Sequence, residues 1–292
     1  MLKNPYNING NWYRGNFHTH TKNSPCGHYD LEWVLNLYKS YKENYDFLAI
    51  TDHFYMTDLS KYNDSKDLIL FNGVEFKLKC YQTLGINIPE YTDNKDDYSN
   101  HQELFDKVNK EGGINIICHP HLSKDDYWSY DSLMKLKGYI GIEVYNNNVR
   151  LDNSGRAVAS DLWDKLLSSG RKIYGFADDD MHVFSRVGGG FNMVCAKEKS
   201  RESILESVKK GRFYASSGVF LKDICVSDDE ISLKLEHNIP AYIRFIGYKG
   251  KLLKETFGLE GSYKADGSEK YIRVEVFRED GAKAWTQPFY FC

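Results

Sequence analysis

Apolar residues before about residue 213 come in short runs that are rich in β-branched and aromatic side chains. Runs of this length, bounded by polar and glycine residues, predict buried β-strands. We find seven of them, at residues 16–18, 46–53, 68–76, 114–121, 141–146, 172–180 and 190–197. The N-terminal part of the chain is therefore predicted to contain a sheet of buried strands.

The segments between these runs show helical periodicity instead. Apolar residues recur at helical spacing within residues 31–41, 158–166 and 200–211. Asp30 precedes the first segment as a candidate N-cap, and Gly170 follows the second as a candidate C-cap. Alternating strands and helices are typical of parallel strands joined by helical crossovers. Seven strands in this pattern predict an irregular α/β barrel over residues 1–217.

The pattern changes after Gly218. Residues 218–292 contain several segments in which apolar and polar residues alternate, separated by turn residues, and none with helical spacing. Alternation of this kind predicts strands with one buried face. We therefore expect a second domain, a small antiparallel β-sandwich over residues 218–292.

Candidate metal ligands stand where the predicted strands end. They are imidazoles and carboxylates, namely His18, His20, His53, Glu75, His119, His121, Asp180 and His182. A single histidine is more often a core or surface residue than a ligand, but random placement does not put so many behind successive strands. Because the carboxyl ends of parallel barrel strands converge on one face, a metal centre is predicted there.

The spacing of these residues suits metal binding. In an extended segment, residues two apart point to the same side, so His18 and His20 are able to serve one ion, as are Asp180 and His182. Nitrogen and oxygen ligands without thiolate favour zinc, manganese or iron. So many ligands predict two or three divalent ions rather than one.

Five segments, FHTHT, AITDH, NGVEF, ICHPH and ADDDMH, occur in the order of the motifs of the polymerase-and-histidinol-phosphatase (PHP) family. Residues 14–197 resemble that family. The resemblance implies a distorted seven-stranded (β/α)7 TIM-like barrel with a trinuclear metal site, and phosphoesterase activity by attack of a metal-bound hydroxide. The chain also looks like a subgroup with a β-sandwich after the barrel, some of which resemble hydrolases of carboxylic or carbamate esters.

Carried onto this chain, the resemblance implies a set of metal ligands: His18, His20, His53, Glu75, His119, Asp180 and His182. Glu75 would bridge a first ion, also held by the FHTHT histidines and Asp180, to a second ion bound by His119. His53 and His182 would hold a third ion. Glu75, Asp180 and His182 are the expected catalytic residues.

The chain departs from the family pattern at two places. The third ion needs another ligand from SPCGHYD, which is Cys26 by alignment or His28 by chemistry, although Cys26 as a buried, unreactive cysteine is an equal alternative. Gln82 stands where relatives often carry a histidine, so the second ion is held loosely, completed by His121, or absent. His101 is expected to be a surface residue and is kept only as an outside substitute.

Further polar residues near the motifs have two interpretations each. Asp52, Asp178 and Asp179 either orient ligand imidazoles or belong to solvated loops. Arg186, just before a glycine-rich segment, is a candidate phosphate-binding residue, although an ordinary turn fits the spacing better.

Composition narrows the class of protein. The 38 basic and 41 acidic residues give a formal charge of −3, which argues against nucleic acid as a partner. The chain carries no apolar run that would predict a signal peptide or a membrane span, and its six cysteines are scattered. A cytoplasmic protein acting on a small molecule is the expectation.

Three functions fit these observations. The first is a phosphoesterase acting on a small phosphorylated compound. The second is a hydrolase of carboxylic esters or carbamates with the same metal centre. The third is a binding protein that has lost activity, which Gln82 and the SPCGHYD segment favour.

Overall fold

The computed structural model describes residues 1–42, 44–62, 66–89, 99–123 and 127–291. Its helices are α1 (Leu31–Ser40), α2 (His101–Lys110), α3 (Tyr130–Lys135), α4 (Asn147–Asp152), α5 (Ser160–Ser168) and α6 (Arg201–Lys209). Its strands are β1 (Leu2–Lys3), β2 (Asn11–Asn16), β3 (Phe47–Ile50), β4 (Ile69–Leu78), β5 (Tyr81–Ile86), β6 (Ile114–Ile117), β7 (Gly141–Asn146), β8 (Tyr174–Asp178), β9 (Phe191–Ala196), β10 (Phe213–Ser216), β11 (Leu221–Ser227), β12 (Glu230–Leu235), β13 (Ala241–Gly247), β14 (Lys251–Gly258), β15 (Glu260–Lys264), β16 (Arg273–Phe277), β17 (Lys283–Thr286) and β18 (Tyr290–Phe291). No helix within the described ranges is both long enough and apolar enough to cross a lipid bilayer.

Most strands belong to one mixed sheet. Thirteen of them follow the order β14-β13-β16-β17-β10-β9-β2-β3-β4-β5-β6-β7-β8. β2, β3 and β4 run parallel to one another, as do β6, β7 and β8. Between these two groups, β5 pairs antiparallel with both β4 and β6. The fold is therefore mixed α/β, with helices packed around one large sheet.

Each of the seven predicted runs contains or adjoins a strand, but a seven-stranded (β/α)7 TIM-like barrel is not confirmed. β5 is a strand that the sequence pattern missed, because Gln82, Thr83 and Gly85 interrupt its apolar residues. A tight turn at residues 79–80 joins it to β4, so a hairpin stands where a barrel repeat would have a helical crossover. Among the described residues the backbone ladder ends at β8 and β14 and does not close.

Two buried side-chain amides bridge the open edge of β8 to the other end of the parallel region. Asn192 of β9 accepts from the Ala177 amide at 3.1 Å and donates to its carbonyl at 2.9 Å. Gln287, just after β17, does the same for Gly175, at 2.9 Å and 2.8 Å. Each amide acts as a peptide group would in a neighbouring strand, so these backbone groups on the edge of β8 away from β7 are satisfied although no described strand pairs there.

A layer of phenylalanines fills the space that these strands enclose. The rings of Phe17 and Phe47 lie 5.0 Å apart, and Phe17 meets Phe176 edge-on at 5.8 Å. Phe176 continues the contact to Phe213 at 4.7 Å. All four side chains are buried. Phe17 directly precedes His18, so this layer supports the segment that carries the first histidines.

The three predicted helices occur as α1, α5 and α6. Asp30 stands at the N-terminus of α1, but its carboxylate pairs with Lys22 and makes no hydrogen bond to the first turn. Gly170 follows α5 with φ of +90°, the left-handed conformation that lets the chain leave a helix.

The C-terminal strands form two layers around a shared apolar core. β11, β12 and β15 make a separate three-stranded sheet, while β13, β14, β16 and β17 extend the large sheet. Ile231 and Leu233 of the small sheet pack with Ile243 and Val274 of the large one. The predicted boundary at residue 217 falls between β10 and β11, but β10 pairs with β17 across it. The division into two domains stays a prediction.

A buried ion pair links the C-terminal strands to helix α5. Arg273 of β16 donates to both carboxylate oxygens of Asp164, at 2.9 Å and 2.7 Å, and to Glu275 at 3.1 Å. The Tyr271 hydroxyl also donates to Asp164, at 2.9 Å. Arg273 is buried. Removing one partner of such a pair leaves an uncompensated buried charge, which is more damaging than replacing both.

Arg273→Met is expected to lower the free energy of unfolding by about 3–5 kcal/mol, because Asp164 loses its cation. Denaturant unfolding of the purified protein measures this change. The double variant Arg273→Met/Asp164→Leu should lose less than the sum of its two single variants. Arg244→Met removes an ion pair with Glu255 that is partly exposed, and should cost about 1 kcal/mol or less. Equal losses for Arg273→Met and Arg244→Met would contradict the buried-pair interpretation.

Candidate metal centre

The predicted ligands of highest interest lie together at one end of the parallel strands. The side chains that meet there are His18, His20, His53, Glu75, His119, Asp180 and His182. Glu75 lies inside β4, and the others lie two to four residues after the end of a strand. A bridge between Thr19 and Met181 ties the segment after β2 to the segment after β8. The histidines of FHTHT and Asp180 are held side by side for this reason.

Two carboxylate oxygens form the middle of the cluster. Nε2 of His18 lies 3.3 Å from Oε2 of Glu75 and 3.3 Å from Oδ1 of Asp180. Nε2 of His20 lies at the same distance of 3.3 Å from each of these oxygens. Two nitrogens and two oxygens therefore surround one small volume.

The two imidazole nitrogens at this volume have no hydrogen-bond partner. Nε2 of His18 and Nε2 of His20 are both buried, and neither makes a hydrogen bond to any of the described residues. Their contacts with the carboxylates have the distance but not the geometry of hydrogen bonds. Buried polar atoms are rarely left without a partner, and a cation between two imidazoles and two carboxylates satisfies all four groups. The donor set fits a divalent transition metal.

Glu75 faces different histidines with its two oxygens. Oε2, which faces His18 and His20, also lies 3.0 Å from Nδ1 of His53. Oε1 lies 3.3 Å from Nε2 of His119. One carboxylate therefore stands between two groups of imidazoles, which is the arrangement needed to bridge two ions.

A further group of potential ligand atoms lies nearer the surface. His20, His53 and His182 each offer a ring nitrogen, all within 4.8 Å of one another. The ring of His20 stacks on that of His182 at 4.2 Å and lies 4.7 Å from that of His53. The side chains of His53 and His182 are each 17% exposed, whereas His20 is buried. This side of the cluster is the more exposed one.

The cluster keeps its carboxylates ionised despite their burial. Burial alone would raise the pKa of Glu75 and of Asp180, but the neighbouring imidazoles, His18 first, lower both pKa values well below the usual range. Burial likewise opposes the charged form of His18, yet Asp180, Glu75 and Glu143 together raise its pKa well above the usual value. The site is therefore an anionic pocket that demands positive charge.

Glu143 is a buried carboxylate behind the histidines that the sequence interpretation did not assign. Its Oε1 lies 2.7 Å from Nδ1 of His18, and its Oε2 accepts from the His119 amide at 2.6 Å and from Asn146 at 2.9 Å. Because a carboxylate accepts the Nδ1 hydrogen, Nε2 is the His18 nitrogen that would offer its lone pair to an ion bound in the cluster. The signal in the sequence was a lone acid within the apolar strand GIEVYN.

Ser24 and Asp52 play the same part for His20. Nδ1 of His20 lies 3.0 Å from the Ser24 hydroxyl, which donates to Asp52 at 2.6 Å and accepts from the His53 amide at 3.0 Å. Asp52 also accepts from the amide and the hydroxyl of Thr21, both at 2.7 Å. Of the two interpretations of Asp52, the structure supports a buried residue that orients a ligand imidazole.

Two residues of the cluster adopt strained backbone conformations. Asp180 has φ of +50° and His119 has φ of +25°, values that are uncommon outside glycine. Asn146 donates to Asp180 Oδ2 at 3.2 Å and so holds the carboxylate. Strain of this kind persists where surrounding contacts over-determine the geometry, and it is common at functional sites.

No protein-family model and no curated protein sequence matches the chain. Among solved structures, a two-domain protein from Bacteroides vulgatus containing a predicted PHP-like metal-dependent phosphoesterase aligns over 96% of this chain and 95% of its own, at 14% identity and a TM-score of 0.54. The chain has the fold of the PHP-like phosphoesterases. Endonuclease Q, crystallised with a 27-mer duplex that has an abasic lesion at the active site, aligns over 68% of this chain and 56% of its own, at 16% identity and a TM-score of 0.50.

The expectation that nucleic acid is an unlikely partner is wrong as an inference about this fold. Endonuclease Q shares the PHP-like fold and was crystallised with a 27-mer duplex substrate that has an abasic lesion at the active site. The expectation rested on a net charge of −3, which sums over the whole surface. Contact with phosphates depends on local charge around the site, and the net value does not report it.

Several predicted ligands of the PHP-like site lie apart from the cluster. Cys26 and His28 are both exposed and belong to none of the ligand groups found among the described residues, so Cys26 is not the buried cysteine of the alternative interpretation. His121 is buried, but its Nε2 contacts Arg156 at 2.8 Å and Asp161 at 3.2 Å. The hydroxyl of Ser24, in the same SPCGHYD segment, is the group that reaches the cluster instead.

The histidine of α2 is a core residue. His101, expected at the surface, is only 8% exposed, and its ring packs edge-on against Trp128 at 5.1 Å. Burial lowers the pKa of His101 to about 4, so the ring is neutral near physiological pH. The helical stretch SNHQELF gave no indication that its first turn faces the interior.

The glycine-rich segment and its arginine serve structural contacts. Asp179 accepts from the amides of Gly188, Gly189 and Gly190, and burial raises the pKa of Asp179 to about 6. Arg186 pairs with Asp152 and donates to Asn148 at 2.8 Å. The amides that a phosphate would need are therefore already bound to Asp179, and the Arg186 guanidinium to Asp152.

Asp178 belongs to the connection between strands. It accepts from the Phe17 amide at 2.7 Å and from Asn192 at 3.1 Å. These bonds join the end of β8 to the start of the FHTHT segment. Asp178 and Asp179 thus brace the ends of the strands and do not contact ligand imidazoles through hydrogen bonds.

A cleft of about 430 Å³ opens on the exposed side of the cluster. Its lining residues are Asn23, Pro25, His53, Phe54, Tyr55, Lys77 and Gln82. A larger cleft of about 760 Å³ lies between α5 and residues 248–250 and includes none of the cluster residues. Of these two clefts, the smaller is the one that reaches the candidate metal centre, through His53.

Glu143→Gln should weaken metal binding about 10- to 100-fold, because a neutral amide accepts the His18 hydrogen less strongly and leaves the imidazole less basic. Competition with a chromophoric chelator measures the metal affinity. Glu275→Gln, a buried acid outside the cluster, is the matched control and should leave the affinity unchanged. Unchanged affinity in Glu143→Gln, with the fold intact, would show that Glu143 does not support His18.

Proposed function

We propose that the chain is a metal-dependent hydrolase of phosphate esters that uses two or three divalent ions of zinc, manganese or iron. The observation that carries the proposal is the pair of buried Nε2 atoms, of His18 and His20, facing Glu75 and Asp180 without hydrogen-bond partners among the described residues. The shared fold with a PHP-like phosphoesterase agrees with it.

The residues are assigned to the ions as follows. His18, His20, Glu75 and Asp180 would hold the first ion. Glu75 would share its other oxygen with the second ion, next to His119. The third ion would bind on the exposed side, at a group that comprises His20, His53 and His182. Divalent ions in such a centre activate water and stabilise the charge that develops on the oxygens of an ester.

Hydrogen bonds within the chain determine which ring nitrogen of each of two histidines carries its hydrogen. The Asp180 carbonyl, which only accepts, lies 2.9 Å from Nδ1 of His182, so this nitrogen carries its hydrogen and Nε2 keeps a lone pair. Glu143 does the same for His18. His53 lines the cleft, and His182 is exposed to the same degree with its ring 6.2 Å from that of His53. These two histidines would therefore meet the substrate, while Glu75 and Asp180 hold the charge behind them.

A phosphodiester of nucleic acid is the second candidate substrate. Its support is the fold shared with Endonuclease Q, whose active site holds duplex DNA. The open cleft beside His53 does not by its size separate a small ester from the end of a polynucleotide.

The protein purified without chelator is expected to contain at least two transition-metal ions per chain, measured by elemental analysis. His18→Ala/Asp180→Ala should abolish both metal retention and ester hydrolysis, because it removes half of the first ligand set. His237→Ala/Asp223→Ala removes the same residue types from the exposed C-terminal region and should change neither. Less than one ion per chain, or activity that survives the first double change, would refute the proposal.

A panel of esters separates the substrate classes. We expect cleavage of an aryl phosphomonoester or phosphodiester to exceed that of an aryl carboxylic ester or a carbamate, because paired dications suit the charge of a phosphate. A duplex with an abasic site, compared with an intact duplex, tests the nucleic-acid candidate. Faster carboxylic-ester or carbamate hydrolysis would favour the second function, and no turnover of any ester by metal-loaded protein would favour a binding protein.

A further inference from the structure

The cleft beside His53 contains a lysine to which no role has been given so far. We propose that Lys77 binds the phosphate group of the substrate, an assignment that rests on the proposed function. The ligand that the cleft as a whole would select is a phosphate ester whose organic part has a flat, apolar face. Its position, its lack of a partner, and the walls of the cleft each support the assignment.

Strand β4 places Lys77 close to the metal centre. Lys77 follows Glu75 by two residues within one continuous strand, so both side chains leave the same face of the sheet. The two Cα atoms are about 7 Å apart along the strand. Glu75 is buried in the cluster, whereas Lys77 is exposed and lines the cleft. A long, flexible side chain at this distance is able to follow a phosphate that is bound at the ions.

The ammonium group of Lys77 has no competing partner among the described residues. It makes no ion pair and no hydrogen bond there, whereas five other lysines pair with acids, as Lys199 does with Asp46. Among the described residues, no aspartate or glutamate lines this cleft. The larger cleft differs, because two acids, Asp161 and Asp164, line it together with its cations, and Arg273 is already paired with Asp164. The cation of the smaller cleft is thus available to an anion from solution.

The remaining walls of the cleft suit the rest of such a ligand. Gln82, directly opposite Lys77 in the β4–β5 pairing, contacts the Tyr127 hydroxyl through Oε1 at 3.1 Å and keeps its amide nitrogen for another acceptor. Phe54 and Tyr55 form an aromatic wall, and Tyr55 is 43% exposed. An exposed tyrosine in a cleft offers a flat surface to an apolar group. Gln82, which stands where relatives often carry a histidine, therefore contributes a hydrogen-bond donor beside Lys77.

Lys77→Met removes the charge and keeps most of the side-chain stem. In metal-loaded protein it is expected to raise the Kd for inorganic phosphate about 10- to 100-fold, measured by calorimetric titration, because a charged hydrogen bond is lost. The KM for an aryl phosphate should rise by a similar factor with kcat little changed, while the KM for an aryl acetate and the metal content stay the same. Lys77→Arg should recover much of the phosphate affinity.

Lys79→Met is the matched control. Lys79 is exposed in the turn after β4 and does not line the cleft, so this variant should bind phosphate like the unaltered protein. An unchanged Kd in Lys77→Met, an equal loss in Lys79→Met, an equal rise of KM for the phosphate and the acetate ester, or no phosphate binding by the unaltered protein would each overturn the assignment.

The phosphate that Lys77 binds could belong to a small ester or to nucleic acid. Titration with a mononucleotide and with a short oligonucleotide distinguishes these two sources. Weaker binding of the mononucleotide to Lys77→Met supports a small ester, and weaker binding of the oligonucleotide supports nucleic acid. Both results support the assignment of Lys77. Failure of the proposed function would give a different result, namely a metal-loaded protein that hydrolyses no ester. The phosphate titration tests the assignment of Lys77 even in that case.

Discussion

Two carboxylates, those of Glu75 and Asp180, are carried into the interior of this fold and face the same two histidine nitrogens at 3.3 Å. Like charges buried around the same two nitrogens repel each other and have lost their hydration. They stay ionised because imidazoles, and in the proposed holoprotein divalent ions, supply the opposing charge. Much of the surrounding structure serves to keep this arrangement in place against that repulsion.

The support comes from polar contacts between strand ends, not from a closed backbone barrel. Asn192 and Gln287 satisfy the edge of β8, while Asp178 joins that strand to the residue before His18. Glu143 and the Ser24–Asp52 pair fix the imidazoles from behind. These side-chain hydrogen bonds hold the strand ends around the candidate metal ligands. A sheet with an irregular strand order is therefore able to bring the ligand atoms close together.

The cluster is also asymmetric. Its deep part, around His18 and Glu143, is closed by packed side chains, whereas His53 lines an open cleft and His182 is exposed to the same degree as His53. The open side carries Lys77 and aromatic residues but, among the described residues, no carboxylate. Negative charge is thus concentrated where ions would bind, and positive and apolar groups stand where a phosphate ester would approach.

The sequence by itself determined the strand positions and the likeness to PHP motifs, because runs of buried residues and ligand spacing are local properties. Only the tertiary structure decided what depends on distant neighbours. The strand at Gln82, the core position of His101 and the contact between Glu143 and His18 join residues far apart in the chain, and no local pattern records them. The same holds for Cys26, which the alignment with the PHP motifs suggested as a ligand but whose side chain is exposed. Which residues bear on the metal centre was therefore fixed by packing, since a side chain acts on what it touches and sequence spacing alone does not set that.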